Sequence, residues 1–203
     1  RRLRKFARTG SDSLLDIDGT IDSTAKNAGL LNIKMIPERH NAVKVLVFFD
    51  IGGSMDSYIE SCEKLFSAVR SEFKHLEFFY FHNFIYESVW KDNHRRFNET
   101  TATLDILNKY SRDYKVIFVG DASMSPYEIV SSGGSVEHWN EESGELWMKR
   151  ILYHYDNVVW VNPVDEGDWD YSQSTMMIKS LLRNQMYPMS INGLENCMTQ
   201  LSK

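Results

Sequence analysis

Three stretches of this chain are apolar almost without interruption: VKVLVFF from Val43 to Phe49, YKVIFV from Tyr114 to Val119 and NVVWV from Asn157 to Val161. A strand with one wet face alternates apolar and polar residues, whereas an unbroken apolar run of this length belongs to a strand covered on both faces. LEFFYF, from Leu76 to Phe81, reads as a fourth buried strand. YESVW, after a turn at His82 and Asn83, reads as its hairpin neighbour at a sheet edge. Between these runs lie helical patterns. Tyr58, Cys62, Leu65, Phe66, Val69 and Phe73 recur at helical spacing, and shorter patterns cover 104–110, 145–154, 172–183 and 192–202. MYPM at 186–189 reads as a last edge strand. Buried strands alternating with amphipathic helices predict an α/β fold: a three-layer α/β/α sandwich whose sheet is mostly parallel, with one antiparallel edge strand.

The first forty residues do not share this pattern. RRLRK holds four of the chain's 23 basic residues, and the stretch then turns acidic with Asp12, Asp16, Asp18 and Asp22. Pro37 and the polar 38–41 precede the first strong strand, so a boundary is expected near residue 40. Residues 1–40 then form an N-terminal arm or the end of an upstream region, and 41–203 form the domain. Opening on Arg1 and Arg2, with no secretory apolar region behind them, the chain reads as a fragment of a longer protein.

A net charge of −5 supplies no basic field for a phosphate backbone, so nucleic acid is not an expected partner. No apolar run approaches the roughly 20 residues of a membrane-spanning helix, so no membrane role is expected. Cys62 and Cys197 form no CxxC pair and lie near no histidine at metal-ligand spacing. A reducing, cytoplasmic compartment is the expectation. GGS at Gly133 to Ser135 lacks the surroundings of a phosphate-cradling loop, and GGSMD lacks the GxSxG elbow of a serine hydrolase. His75 and His82, seven apart, should face opposite ways from one strand. His138, beside Trp139, is expected to pack at a site rim.

In open α/β sheets ligands bind beyond the carboxyl ends of the strands. Two of the strong strands here end in aspartate, at Asp50 in DIGGSM and Asp121 in GDAS. Each alone reads as a helix cap. Side by side on neighbouring strands they conflict, because two unit charges about 4 Å apart repel by about 4 kcal/mol at an effective dielectric of about 20. Neither loop carries a Lys or Arg, which leaves a divalent cation as the simplest counter-charge.

DIGGSM resembles the DxSxS signature of von Willebrand factor A domains, in the variant with Gly at the middle position, and GDAS lies where that family places its second aspartate. Together with EFKHLEFFYFHN, GDASMSPYEI, SVEHWN and NPV, these strings resemble the CoxE-like bacterial branch of the family over most of the chain. The resemblance implies a Rossmann-like α/β/α sandwich with a metal-ion-dependent adhesion site made by Asp50, Ser54, Asp121 and a loop threonine. Thr103, directly before a helical pattern, is the first choice, with Thr101 and then Thr100 behind it. Oxygen donors of this kind favour Mg²⁺, with Mn²⁺ or Ca²⁺ as substitutes. Ser54 and Thr103 would bind through hydroxyls, Asp50 and Asp121 directly or through water, and an open position would accept a carboxylate from a partner protein. The resemblance further implies no intrinsic catalysis, and work beside a MoxR-type AAA+ ATPase in assembling or activating other proteins. Gly52 departs from the pattern by lacking a side-chain oxygen, so a water is expected in its place and metal binding is expected to be weak.

Two other readings compete. LLDIDGTI, from Leu14 to Ile21, closely resembles the DxDGT motif of haloacid dehalogenase phosphatases, with Asp16 as nucleophile and Asp18 as general acid/base. Only Leu14 and Leu15 precede Asp16 as apolar residues, and the position four after Asp121 is Ser125 rather than aspartate. A metal-independent interaction domain is the third reading.

Overall fold

The computed structural model describes residues 6–7, 13–26, 33–37, 40–41, 43–73 and 75–202, which fall into two compact units, Arg4–Ala42 and Val43–Lys203. The basic RRLRK run and Asp12 lie outside the described residues. In the smaller unit, β1 (Phe6–Ala7) pairs antiparallel with β4 (His40–Asn41), and β2 (Ser13–Leu15) pairs antiparallel with β3 (Met35–Pro37). One helix, α1 (Ile17–Lys26), follows β2.

The larger unit is an α/β sandwich. Its strands are β5 (Lys44–Asp50), β6 (His75–Phe81), β7 (Ser88–Trp90), β8 (Thr100–Ala102), β9 (Lys115–Val119), β10 (Asn157–Asn162) and β11 (Met186–Pro188). They form one sheet in the order β11-β10-β9-β5-β6-β7-β8. Every neighbouring pair is parallel except β6 with β7 and β7 with β8, so β7 alone runs against the rest, near one edge. The outermost strand there, β8, is a polar TTA segment that hydropathy does not mark; it forms because its backbone pairs with β7.

Period-two side-chain direction divides the core. Leu46, Phe48, Val116, Phe118, Val158 and Trp160 face one way, beneath α3 (Thr103–Lys109), α4 (Pro126–Val130), α5 (Gly144–His154) and α6 (Gln173–Leu181). Val45, Val47, Phe49, Ile117, Val119, Val159 and Val161 face the other, against α2 (Ile59–Glu72) and α7 (Ile191–Leu201). The three layers predicted from the apolar runs are therefore present. The helix expected directly after the first strand begins instead with a 3-10 segment, Gly53–Tyr58, before α2.

On the first face, four rings in register cross four strands. Phe48 lies opposite both Phe79 and Phe118, and Phe118 opposite Trp160. Their centroids are 5.7 Å apart for Phe79 and Phe48, 4.9 Å for Phe48 and Phe118, and 5.4 Å for Phe118 and Trp160. Such pairs contribute about 0.5–1.5 kcal/mol each beyond area burial. A one-residue slip of any strand would turn its ring to the opposite face, so the row pins the register. Trp160 also donates its indole N–H to the Gly120 carbonyl at 2.7 Å. Trp160→Ala is expected to lower the free energy of unfolding in urea by about 3–5 kcal/mol. A loss under about 1 kcal/mol would show that the ring row does not hold the sheet together.

Candidate functional site

The register places the ends of β5, β6 and β9 at one crevice. Asp50 is the last residue of β5, opposite Phe81 on β6, while Phe49 pairs with Val119, so Gly120 and Asp121 emerge beside Asp50. Both aspartates are buried. A β-carbon at Gly120 would lie 2.8 Å from the Asp50 Cβ and 3.1 Å from its Oδ2, so glycine is what lets the carboxylate lie against the neighbouring strand end.

The two oxygens of Asp50 have unequal surroundings. Oδ1 accepts the backbone N–H groups of Gly52 and Asn83, each at 2.8 Å. Oδ2 is buried with no hydrogen-bond partner. Burial pushes the Asp50 carboxyl up from 3.8 to about 7. The two N–H bonds pull the other way, and the negative charges of Asp121 and Glu128 add to the rise. Asp50 also lines a cavity of about 310 Å³ with Gly52, Met55, Ile59, Cys62 and Tyr80.

Asp121 is held by its loop. Its Oδ1 accepts the N–H of Ser123 at 2.9 Å, and its carbonyl accepts Asn162 Nδ2 at 3.0 Å. Ala122 takes a left-handed backbone, φ 58°, which is uncommon for a residue other than glycine. Ser174 and Thr175, in the first turn of α6, donate their hydroxyls to the Ala122 carbonyl and hold that conformation.

Of the three candidate threonines, Thr103 alone is buried; Thr100 and Thr101 belong to β8, opposite Trp90 and Val89. Thr103 opens α3 and donates its hydroxyl to the Tyr86 carbonyl at 2.6 Å, leaving lone pairs on that oxygen. Ser54 is exposed in the 3-10 segment and, like Thr103 and Asp121, does not line the cavity beside Asp50.

Two residues of the crevice escaped the sequence reading. Glu128, buried in α4, accepts Asn83 Nδ2 on Oε2 at 2.9 Å and the Ser125 N–H on Oε1 at 3.2 Å. Its sequence signal was present: SPYE is a capping box with proline at the first helical position. Asn83, at φ 57°, bridges Asp50 to Glu128. A strand-ending turn is all that sequence indicates there.

The remaining candidates are accounted for locally. His138 lies 3.0 Å from Glu87 and edge-on to Tyr86, at 5.6 Å between centroids. His75 is exposed at the start of β6, and His82 Nε2 is 3.5 Å from Glu137. Gly133, at φ 65°, packs against the Trp139 ring. Cys62 and Cys197 are free and buried, with burial raising their thiols to about 11 and about 12, far from nucleophilic readiness. Asp16 accepts the N–H of Gly19 at 2.9 Å, as the cap of α1, after a three-residue strand whose ladder is the antiparallel one with β3.

Compared with protein-family models, curated proteins and solved structures, the chain matches none. Among the described residues, no three His, Cys, Asp or Glu side chains converge to hold an ion unaided. A cation at Asp50 would have to complete its shell with hydroxyl, amide or water oxygens. The orphaned Oδ2 beside a second carboxylate fits such an ion.

A carboxyl whose folded-state pKa lies above its unfolded value holds its proton longer in the native state. That stabilisation is fully present below about 3.8 and is lost as pH rises through about 7. In EDTA, the unfolding free energy of the wild type relative to Asp50→Asn is therefore expected to fall across that window. Parallel pH profiles for the two proteins would place the perturbed carboxyl elsewhere.

Proposed function

We propose that the unit from Val43 onwards is a non-catalytic protein-interaction domain of the von Willebrand factor A type, whose crevice holds Mg²⁺ and through it a carboxylate of a partner protein. The observation that carries this reading is the buried, unpartnered Oδ2 of Asp50 beside Asp121, with no lysine, arginine or histidine ion-paired to either among the described residues. An uncompensated buried carboxylate is costly, and either a proton or a cation relieves it. Asp50, Asp121, Ser54 and Thr103 are the residues assigned to the ion, with water filling the remaining positions as Mg²⁺ prefers. Bound there, the ion supplies positive charge for a partner's carboxylate. The protein's own part is to hold Asp50 with two backbone N–H groups and Asp121 with its loop. A MoxR-type AAA+ ATPase is the partner the sequence resemblance favours.

Mg²⁺ at about 100 times its Kd is expected to stabilise the fold by about 2.7 kcal/mol, read as a rise in Tm reversed by EDTA. Asp50→Asn should show no such rise. Affinity capture in Mg²⁺ and in EDTA, with mass spectrometry of what is retained, tests the partner. A specific protein lost both in EDTA and with Asp50→Asn supports the reading; equal capture under all conditions supports a metal-independent interaction domain instead.

A further inference from the structure

We propose that the side-chain oxygen of Asn83 is itself a donor of the cation site, standing in the place a serine hydroxyl at position 52 would take. This deepens the reading above and rests on it.

Gly52 has φ −56° and ψ 150°, a backbone open to any L-residue, so its own conformation does not demand glycine. What excludes a side chain is Asn83. A β-carbon built on Gly52 would collide with Asn83 Oδ1, and the same point lies 3.3 Å from Asp50 Oδ1. The amide oxygen thus fills the space beside Asp50 that a residue-52 side chain would enter.

Its orientation is fixed by chemistry. Both Glu128 oxygens act as acceptors, one from the Ser125 N–H and the other from Asn83, so the Asn83 amide must turn its NH₂ to Glu128 and its oxygen to Gly52. The Asn83 backbone is locked as well, in a left-handed conformation that asparagine tolerates better than most residues, with its N–H on Asp50 Oδ1. No protein donor is found on Asn83 Oδ1 among the described hydrogen bonds, and the second oxygen of the same Asp50 carboxyl, Oδ2, is buried and unpartnered. An amide oxygen is a hard donor suited to Mg²⁺, and it adds no charge where Asp121 and Glu128 already raise the Asp50 carboxyl by their negative charge. The oxygen that the sequence pattern lacks at position 52 is therefore supplied from the end of β6 rather than by solvent.

The test is Mg²⁺ titration calorimetry on the whole chain, with Tm in EDTA recorded to equalise folded fractions. Asn83→Gly keeps the N–H to Asp50 and suits φ 57°; it is expected to weaken Mg²⁺ binding by about 10- to 100-fold. Adding Gly52→Ser to that variant returns an oxygen to the vacated space and is expected to restore most of the affinity. A purely structural Asn83 would not be rescued in this way. If Asp50→Asn abolishes binding but Asn83→Gly leaves it unchanged, or the double variant binds no better than Asn83→Gly, the assignment of Asn83 is overturned while the cation site stands. If the wild type takes up no Mg²⁺, or Asp50→Asn has no effect, both are overturned.

Discussion

The row of rings from Phe79 through Phe48 and Phe118 to Trp160 sets the register of four strands, and register is what brings the crevice together. Asp50 lies two residues past Phe48, Gly120 two past Phe118, Asn162 two past Trp160, and Asn83 four past Phe79. A stack of apolar rings on one face thus fixes where polar groups emerge at the strand ends. The link runs through a hydrogen bond as well, since the Trp160 indole holds the carbonyl of Gly120, whose missing side chain leaves space for the Asp50 carboxylate.

That carboxylate is half satisfied. Two backbone N–H groups on Oδ1 favour the ionised form; burial, Asp121 and Glu128 oppose it and prevail. A fold stabilised only by burial would gain nothing from such a group, because a buried acceptor without a partner costs about 1–3 kcal/mol. Its surroundings are nonetheless elaborate. The Asp50 loop is tied to β6 through the Ile51 N–H on Phe81, and the Asp121 loop is tied to α6 and to Asn162. Structure is concentrated around an electrostatically unfavourable point, the pattern expected where local cost is retained for binding.

Continuous hydropathy made the central strands β5, β9 and β10 legible, because burial on both faces leaves no room for polar residues. Helices α2, α3, α5, α6 and α7 were legible from their periodicity, whereas the five-residue α4 was not, and Asp50 and Asp121 were legible from their places at strand ends. Elements formed by pairing rather than burial were not. TTA in β8 is largely solvent-facing, so its strand state depends on β7 alone. Asn83 was readable as a turn residue, but its bridging role needs Gly52, Asp50 and Glu128 brought together from segments 31 to 45 residues away, and no local pattern encodes that. Glu128 was nearer to legible, since its capping box is written in the sequence; what the box does not reveal is that the same carboxylate also orients Asn83.

Charge at the rim and charge in the floor are handled differently. Glu137 is met by Arg96 at 3.2 Å and lies 3.5 Å from His82, and one oxygen of Glu87 lies 3.0 Å from His138 while its other oxygen is buried without a partner, so each of these carboxylates has a basic side chain beside it. In the floor, Asp121 and Glu128 rest on neutral N–H donors, Asp50 has such donors on one oxygen only, and none of the three appears in an ion pair among the described residues. Arginine and histidine are thus at hand in the surrounding loops and pair elsewhere. Neutral donors orient these carboxylates without cancelling their charge. At the strand ends the protein thus sets oxygen atoms and neutral N–H donors where the rim has positive side chains.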